Sequence, residues 1–194
     1  WAGLGVLVNE LARPALCLNL PSFGPNTAAP GEPEYLSLRR LLRTRIAWTV
    51  VGRPIFVSEK PNNVAIAADH LGARCAPLVC TDGMPAAAQR TLLTQLQIAG
   101  ANLLYHGDFD WAGIRIANFV VRTWQATPWR LTQADYRAAV ASAGSARQQL
   151  RGVGVAASWD DGLTKAMQEA GVAVAEEAIV GSLLEDLKRS SIPC

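Results

Sequence analysis

The feature that most constrains the fold is a rhythm of short apolar runs and amphipathic stretches in the middle of the chain. The apolar runs have the length and composition of buried strands, and the stretches between them have helical periodicity. The runs are residues 54–58, 76–80 and 102–105, and the helical stretches are residues 61–71, 85–99 and 111–124. Each connection is short and contains a helix, so consecutive strands run parallel. With a fourth strand near residues 129–131, the sequence predicts an α/β fold with a central, mostly parallel, four-stranded sheet flanked by helices.

The two ends of the chain differ from this middle part. Residues 1–50 are predicted to form an N-terminal segment, with a strand at residues 15–20 and a loop at residues 21–33, which are rich in Pro, Gly and Asn. A basic amphipathic helix follows from Ser37. Its apolar positions alternate with a group of arginines, Arg39, Arg40, Arg43 and Arg45. Residues 51–194 are predicted to be one α/β domain, which ends in three helices at residues 132–143, 158–170 and 176–188.

Bulk composition limits the class of protein. A chain of 194 residues buries roughly 70% of its surface on folding, which is enough for one core. No apolar run approaches the roughly 20 residues of a spanning helix, so we expect no membrane association. The four cysteines, Cys17, Cys75, Cys80 and Cys194, lack the spacing of a zinc site, and together with the missing signal peptide they favour the cytoplasm. Because the chain begins at Trp1, we expect a preceding DNA-binding domain in a longer protein.

Acidic residues follow two of the predicted strands. Glu59 comes directly after residues 54–58, and Asp108 and Asp110 follow residues 102–105. Open α/β sheets bind ligands at the carboxyl ends of their strands, where these carboxylates are expected to converge. The one-residue spacing lets Asp108 and Asp110 point to the same side and share one ion. The cation that such oxygen ligands prefer is Mg²⁺ or Mn²⁺, and these ions most often serve phosphoryl transfer.

Simpler interpretations of the same acids stay open. Glu59 and the pair Glu176 and Glu177 stand where a helix begins, and a negative charge there is favoured by the helix dipole. Asp110 is also suited to cap the helix at residue 111, which would leave Asp108 facing water. Asp82, in the sequence TDG, is placed to assist a metal, but Asp-Gly is equally ordinary turn chemistry. His106 is as well suited to a structural role as to contact with substrate.

The motifs resemble those of a known family. Residues 58–61 (SEKP), 80–83 (CTDG), 105–113 (YHGDFDWAG) and 176–177 (EE) follow the pattern of Toprim domains, which occur in topoisomerases, bacterial primases and nucleases. The narrower resemblance is to the C-terminal Toprim region of JetD-type proteins, the nuclease subunits of Wadjet plasmid-defence systems, which are similar to the A subunit of type IIB topoisomerases. The chain departs from the more usual Glu-Asn-Pro of this family by having Lys60 in the middle.

The resemblance implies a Toprim-like Rossmannoid fold and a specific activity. It implies that Glu59, Asp108 and Asp110 bind Mg²⁺ or Mn²⁺, with Glu177 or Glu176 contributing. The implied reaction is hydrolysis of double-stranded DNA by a homodimer, acting beside an SMC-like condensin complex in anti-plasmid or anti-phage defence. Apart from the resemblance, Arg39, Arg40 and Arg43 of the basic helix are our hypothetical contacts to the DNA backbone. A solvated helix face, with the arginine stems packed over the core, stays open as the simpler interpretation.

Two other functions stay open. One is a Toprim-like scaffold that binds DNA or a partner without cutting. The other is a phosphatase similar to the haloacid dehalogenases, in which the first aspartate of a D-x-D motif attacks a phosphate monoester. That family carries its motif on the first strand, whereas Asp108 follows the third strand here.

Overall fold

The computed structural model describes residues 13–23, 28–144 and 147–189. Cys194, the first twelve residues and part of the predicted loop at 21–33 therefore lie outside the described residues. The strands are β1 (Ala15–Leu18), β2 (Ser22–Phe23), β3 (Glu34–Leu36), β4 (Ala47–Trp48), β5 (Pro54–Ser58), β6 (Leu78–Cys80), β7 (Asn102–Tyr105), β8 (Thr127–Pro128), β9 (Gln148–Gln149) and β10 (Val172–Ala173). The helices are α1 (Leu38–Arg43), α2 (Pro61–Leu71), α3 (Ala87–Ile98), α4 (Trp111–Trp124), α5 (Gln133–Ser142), α6 (Asp161–Ala170) and α7 (Val180–Arg189).

A six-stranded mixed sheet organises the chain, in the order β3-β1-β6-β5-β7-β8. The four strands β6, β5, β7 and β8 are parallel, while β1 pairs antiparallel with both β6 and β3. The α/β class and the mostly parallel sheet are confirmed, but the predicted count of four strands is wrong. The difference arises because β1 and β3 extend the sheet, so that part of the N-terminal segment belongs to it.

Both faces of the sheet are covered by helices. Along β5, Ile55 and Val57 point into a core shared with α3, α4, α5 and α6, whereas Phe56 points into a second core shared with α2 and α7. This alternation is the two-residue period of a strand, and burial on both sides explains the nearly continuous apolar sequence of β5. Because α2 and α4 lie on opposite faces, the carboxyl ends of β5 and β7 form a topological switch point, the place where open α/β sheets bind ligands.

Local sequence determines where the helices and strands near the ends of β5 and β7 begin and end. Pro61 occupies the first position of α2, where its missing N–H costs nothing. Gly100 adopts a positive φ of 86° directly after α3, which allows the chain to turn into β7. The strands at Pro54–Ser58 and Asn102–Tyr105 and the helices at Pro61–Leu71 and Trp111–Trp124 have the predicted bounds.

Some other elements are shorter than predicted: β1 ends at Leu18 rather than residue 20, β6 begins at Leu78 rather than residue 76, and α3 covers Ala87–Ile98 rather than residues 85–99. Larger differences lie near the C-terminus. The fourth parallel strand is Thr127–Pro128 rather than residues 129–131, because Thr127 pairs with Leu104 while Trp129 turns its ring into the core. The last predicted helix is split into a 3₁₀ turn at Glu176–Ile179 and helix α7. Within the described residues, no helix is long and apolar enough to cross a membrane.

Candidate functional site

The structure brings Glu59 and Asp108 together at the carboxyl edge of the sheet. Strands β5 and β7 are neighbours in register, with Val57 opposite Tyr105, and the amide of His106 continues the ladder to Val57. Just beyond this point, Glu59 Oε2 accepts a long hydrogen bond of 3.4 Å from the amide of Asp108. Both side chains are buried, with only 5% and 8% of the residue surface exposed. The convergence expected from the two acid-tipped strands is therefore observed for this pair.

A lysine ammonium lies between the two carboxylates. Lys60 Nζ is 2.8 Å from Asp108 Oδ2 and 3.9 Å from Glu59 Oε1. The hydrogen bond to Asp108 raises the pKa of the Lys60 ammonium, so it stays charged. Burial, and then the negative charge of Asp108, raise the pKa of Glu59 to about 7. The position that the sequence assigned to a metal cation thus holds the chain's own positive charge.

A third buried acid, Glu176, connects the two strand ends. Its carboxylate accepts the amide hydrogens of Glu59 at 3.1 Å and Lys60 at 2.9 Å, and its own amide donates to Asp108 Oδ1 at 2.8 Å. Only 1% of Glu176 is exposed, and this burial raises its pKa well above the ordinary value. Glu176 therefore fixes the backbone that carries Glu59 relative to the side chain of Asp108.

Backbone pairing explains why Glu176 reaches this place. Phe109 and Val174 exchange two backbone hydrogen bonds, of 3.0 and 3.2 Å, which bring the segment after β10 against the end of β7. The sequence favoured a helix-dipole role for both Glu176 and Glu177, and the resemblance implied that either of them contributes to a metal site. Glu177 is half-buried, and its negative charge adds to the raised pKa of Lys60. No sequence signal distinguishes these adjacent acids, because only the Phe109 to Val174 pairing selects one of them.

Asp110 has a helix-capping role in this structure. Its Oδ1 accepts the amide hydrogen of Gly113 at 2.6 Å, which caps α4. The capping interpretation is thus correct for Asp110, whereas its companion idea that Asp108 faces water is wrong because Asp108 is buried. Glu59 does not cap α2, because the residue at the N-cap position is Lys60. The side chain of Lys60 makes no capping hydrogen bond.

Two glycines allow the close packing of this region. A Cβ at Gly113 would lie 2.1 Å from the backbone oxygen of Asp108, so glycine is required for α4 to approach the strand end. A Cβ at Gly107 would lie 2.8 Å from Glu59 Oε2 and 2.9 Å from the hydroxyl of Tyr105. That Tyr105 hydroxyl is fully buried and makes no hydrogen bond of normal geometry to the residues that the structure describes. The walls around Glu59 are therefore tight.

Other residues named from the sequence lie elsewhere or serve the fold. Asp82 has a positive φ of 52° and pairs with Arg13 at 2.8 Å, as expected of a turn residue. His106 is fully buried, its Nδ1 lies 2.8 Å from the oxygen of Trp129, and burial lowers its pKa to about 4, which fits a structural role.

The arginines that were predicted to contact DNA lie on α1. This helix follows the edge strand β3, which is three strands away from β5 in the sheet. Arg39 and Arg43 are exposed, and Arg40 forms an ion pair with Glu34. Helix α1 packs against α3, on the face of the sheet opposite α2. The arginines and the buried carboxylates therefore belong to separate parts of the surface.

The donor set fits a hard cation on two carboxylates. Within residues 13–23, 28–144 and 147–189, no group of three or more acidic, His or Cys side chains is arranged to hold a metal. Mg²⁺ is often bound through one or two carboxylates, with waters and substrate phosphates completing its shell. Glu59 and Asp108 satisfy that requirement, and the ammonium already between them shows that a positive charge is accommodated there.

Comparison with known proteins identifies a family. The search of curated proteins finds no match to this chain. A family model described as "Protein of unknown function C-terminus" matches residues 34–187, which include every strand of the parallel sheet and all three buried acids. Since this match covers most of the sequence, the chain belongs to the DUF2399 family.

Proposed function

We propose that this chain is a metal-dependent DNA endonuclease that hydrolyses phosphodiester bonds. The observation that carries the proposal is the pair of buried carboxylates, Glu59 and Asp108, which share one cation at the ends of adjacent parallel strands. Buried acids in excess of their counter-charges are typical of functional sites, because stability alone does not favour them. The mostly parallel sheet with helices on both faces belongs to the α/β class that the resemblance to Toprim domains implies.

The proposed roles follow from the surroundings of each residue. A bound Mg²⁺ or Mn²⁺ would neutralise the scissile phosphate and stabilise the leaving oxygen. Asp108 would hold that ion. Glu59, with a pKa of about 7, is suited to accept a proton from the attacking water near neutral pH. Water oxygen would then bond to phosphorus as the bond to the 3′ oxygen breaks, and the 3′ oxygen would gain a proton. Glu176 would hold both Asp108 and Glu59 in position, and Asp110 would cap α4 beside them.

The biological setting of the proposal comes from the JetD-type resemblance. It comprises double-stranded DNA as substrate, a homodimer for double-strand cutting, and an SMC-like condensin complex as partner in cytoplasmic plasmid defence. Arg39 and Arg43 are exposed on α1, and with Arg40 they are the proposed contacts to the DNA backbone. Binding through phosphates would weaken steeply with added salt.

A second candidate function is a Toprim-like scaffold that binds DNA without cutting it. The observation that favours it is Lys60, whose ammonium already occupies the cation position between Glu59 and Asp108. In a scaffold this ion pair would replace the metal permanently, and the residues would serve the fold alone.

Cleavage of supercoiled plasmid decides between the two functions. We expect nicking or linearisation with Mg²⁺ or Mn²⁺, and none with EDTA. Asp108→Asn should lower the rate about 100-fold or more, since metal-assisted charge stabilisation is worth several kcal/mol. Asp161→Asn, at an exposed position of α6, is the matched control and should cut normally.

The contrary results are equally definite. DNA binding without cleavage at any Mn²⁺ concentration would favour the scaffold, and cleavage by Asp108→Asn at the normal rate would remove the assignment. Turnover of a chromogenic phosphomonoester, with no action on DNA, would favour the phosphatase.

A further inference from the structure

Lys60 is held at the carboxylate pair from two directions. Its ammonium contacts Asp108 and Glu59, while its backbone amide donates to Glu176 at 2.9 Å. Pro61 follows immediately and starts α2, so the backbone of Lys60 has little freedom. The side chain is still 34% exposed, and its four-carbon stem can turn the ammonium out to solvent without moving that backbone.

The ammonium and a divalent ion compete for the same oxygens. Lys60 Nζ uses Asp108 Oδ2, while Asp108 Oδ1 is already engaged by the amide of Glu176. A divalent ion bound to Oδ2 would therefore stand within a few ångströms of a positive ammonium in a partly buried place. Like charges at such a distance repel strongly when water is scarce. Only one of the two cations can occupy the pair.

We infer that Lys60 is a built-in counter-ion that neutralises the empty carboxylate pair and must be displaced before a divalent ion can bind. This inference rests on the proposed function and adds a regulatory step to the same site. The exchange of one cation for another keeps the buried acids compensated in both states. The need to displace Lys60 also sets a threshold of metal concentration, below which the Lys60 ammonium keeps its place at Asp108 and Glu59.

The direct test is a titration of the full chain with Mn²⁺ alone, with free Mn²⁺ measured by electron paramagnetic resonance. We expect Lys60→Met, which keeps the stem and removes the charge, to bind Mn²⁺ about tenfold to a hundredfold more tightly than the wild type. That range corresponds to the loss of one competing charge-assisted hydrogen bond. Lys165→Met is the matched control, because Lys165 is 77% exposed and pairs with Glu169 on its own helix.

Thermal unfolding supplies a second readout that does not depend on activity. Without metal, Lys60→Met should melt at a lower temperature than the wild type, because Asp108 and Glu59 lose their counter-ion. Saturating Mn²⁺ should then raise its melting temperature by more than it raises that of the wild type. A purely structural lysine would lower the melting temperature but leave the increment from Mn²⁺ unchanged. If Lys60→Met does not fold, Lys60→Gln, which keeps a donor but no charge, takes its place.

The possible failures are distinguishable. Equal or weaker Mn²⁺ binding by Lys60→Met would overturn the displacement inference and leave the proposed nuclease standing. Absence of Mn²⁺ binding in the wild type and in both folded Lys60 variants would overturn the nuclease proposal and this inference with it. Adding Asp108→Asn to Lys60→Met should abolish the gain, and retention of tight binding in that double variant would place the ion elsewhere and refute the inference.

Discussion

Two partly buried charge clusters join distant parts of this chain, and only one of them is balanced. On the α7 side, Arg130 contacts Asp186 through two nitrogens, one of them at 2.8 Å, and Trp129 Nε1 donates to the same carboxylate at 2.8 Å. Arg130 meets Asp186 in the bidentate geometry that suits a guanidinium. The hydrogen bond to Asp186 raises the pKa of Arg130, and the nearby charges of Asp135 and Glu185 add to this shift. These contacts link α7 to the segment after β8.

The other cluster, at the ends of β5 and β7, carries an excess of negative charge. One ammonium, that of Lys60, faces Asp108 and Glu59, and Glu176 is buried directly behind them. Burial raises the pKa of Glu59 to about 7 and that of Glu176 well above its ordinary value, which measures the cost of keeping them ionised. The comparison teaches that the fold alone explains the balanced pair, whereas the unbalanced cluster, in which acids outnumber cations, is the basis of the proposed function.

Alanine substitutions of glycine should give the largest difference in unfolding free energy between the two regions. Gly113→Ala places a methyl group 2.1 Å from the backbone oxygen of Asp108, so we expect a loss of about 3 kcal/mol or more in the free energy of unfolding. Gly181→Ala, in α7 with open space around it, should instead stabilise by about 0.5–1 kcal/mol. Urea unfolding measures both. A Gly113→Ala protein as stable as the wild type would contradict the close approach of α4.

The pH dependence of stability should report the unbalanced cluster. The folded pKa of Glu59, about 7, lies above its ordinary value of 4.5, so the folded chain holds this proton more tightly than the unfolded chain. The resulting stabilisation is complete below pH 4.5 and is lost as the pH rises through 7, at roughly 1.4 kcal/mol per pH unit. Glu59→Gln should lack this dependence. The difference in unfolding free energy between the wild type and Glu59→Gln, followed from pH 4 to 8, measures it.

The control for this titration is Glu169→Gln, at an exposed position of α6. Its stability should follow the wild type at every pH. A constant difference between the wild type and Glu59→Gln across the range would show that Glu59 titrates normally, and the contrast between the clusters would then lose its electrostatic basis.

Glu176 should matter more than its neighbour Glu177. Glu176→Ala leaves the amides of Glu59 and Lys60 without their acceptor, and we expect a loss of about 2 kcal/mol in the free energy of unfolding. Glu177→Ala, the matched control one residue away, should change stability by no more than about 0.5 kcal/mol. Chemical denaturation of both variants checks this, and similar losses would mean that the Glu176 contacts contribute little.

The balanced pair should give the smallest effect. Arg130→Met removes the guanidinium contacts of Asp186, which keeps the hydrogen bond from Trp129. We expect a loss of about 1 kcal/mol, because both side chains of the pair are partly exposed to solvent. Replacing both partners, with Arg130→Met and Asp186→Leu, should recover part of that loss. Thermal unfolding of the single and double variants tests whether the pair is purely structural. A double variant that loses more unfolding free energy than the two single variants together would show that the pair is not purely structural.

The sequence predicted the centre of the fold better than its edges. Strands β5 and β7 and helices α2 and α4 have the predicted bounds because their apolar periodicity is strong and their ends are marked by Pro61, Asp110 and neighbouring polar residues. The sequence predicted a strand where β1 lies but did not place it in the sheet, and it did not predict the edge strand β3, which has only three residues and nothing local to indicate its partner. Short strands depend on their neighbours more than on their own composition.

By itself, the sequence determined that two parallel strands end in acids at one edge of a sheet, because strand periodicity and apolar character are local properties. Only the tertiary structure decided which groups meet those acids. Glu176 reaches the amide of Glu59 across 117 positions, through the pairing of Phe109 with Val174, and no spacing rule anticipates such a contact. The lysine between the carboxylates was visible as a departure from a motif, but its place as their counter-ion depended on the folding of two distant strand ends against each other.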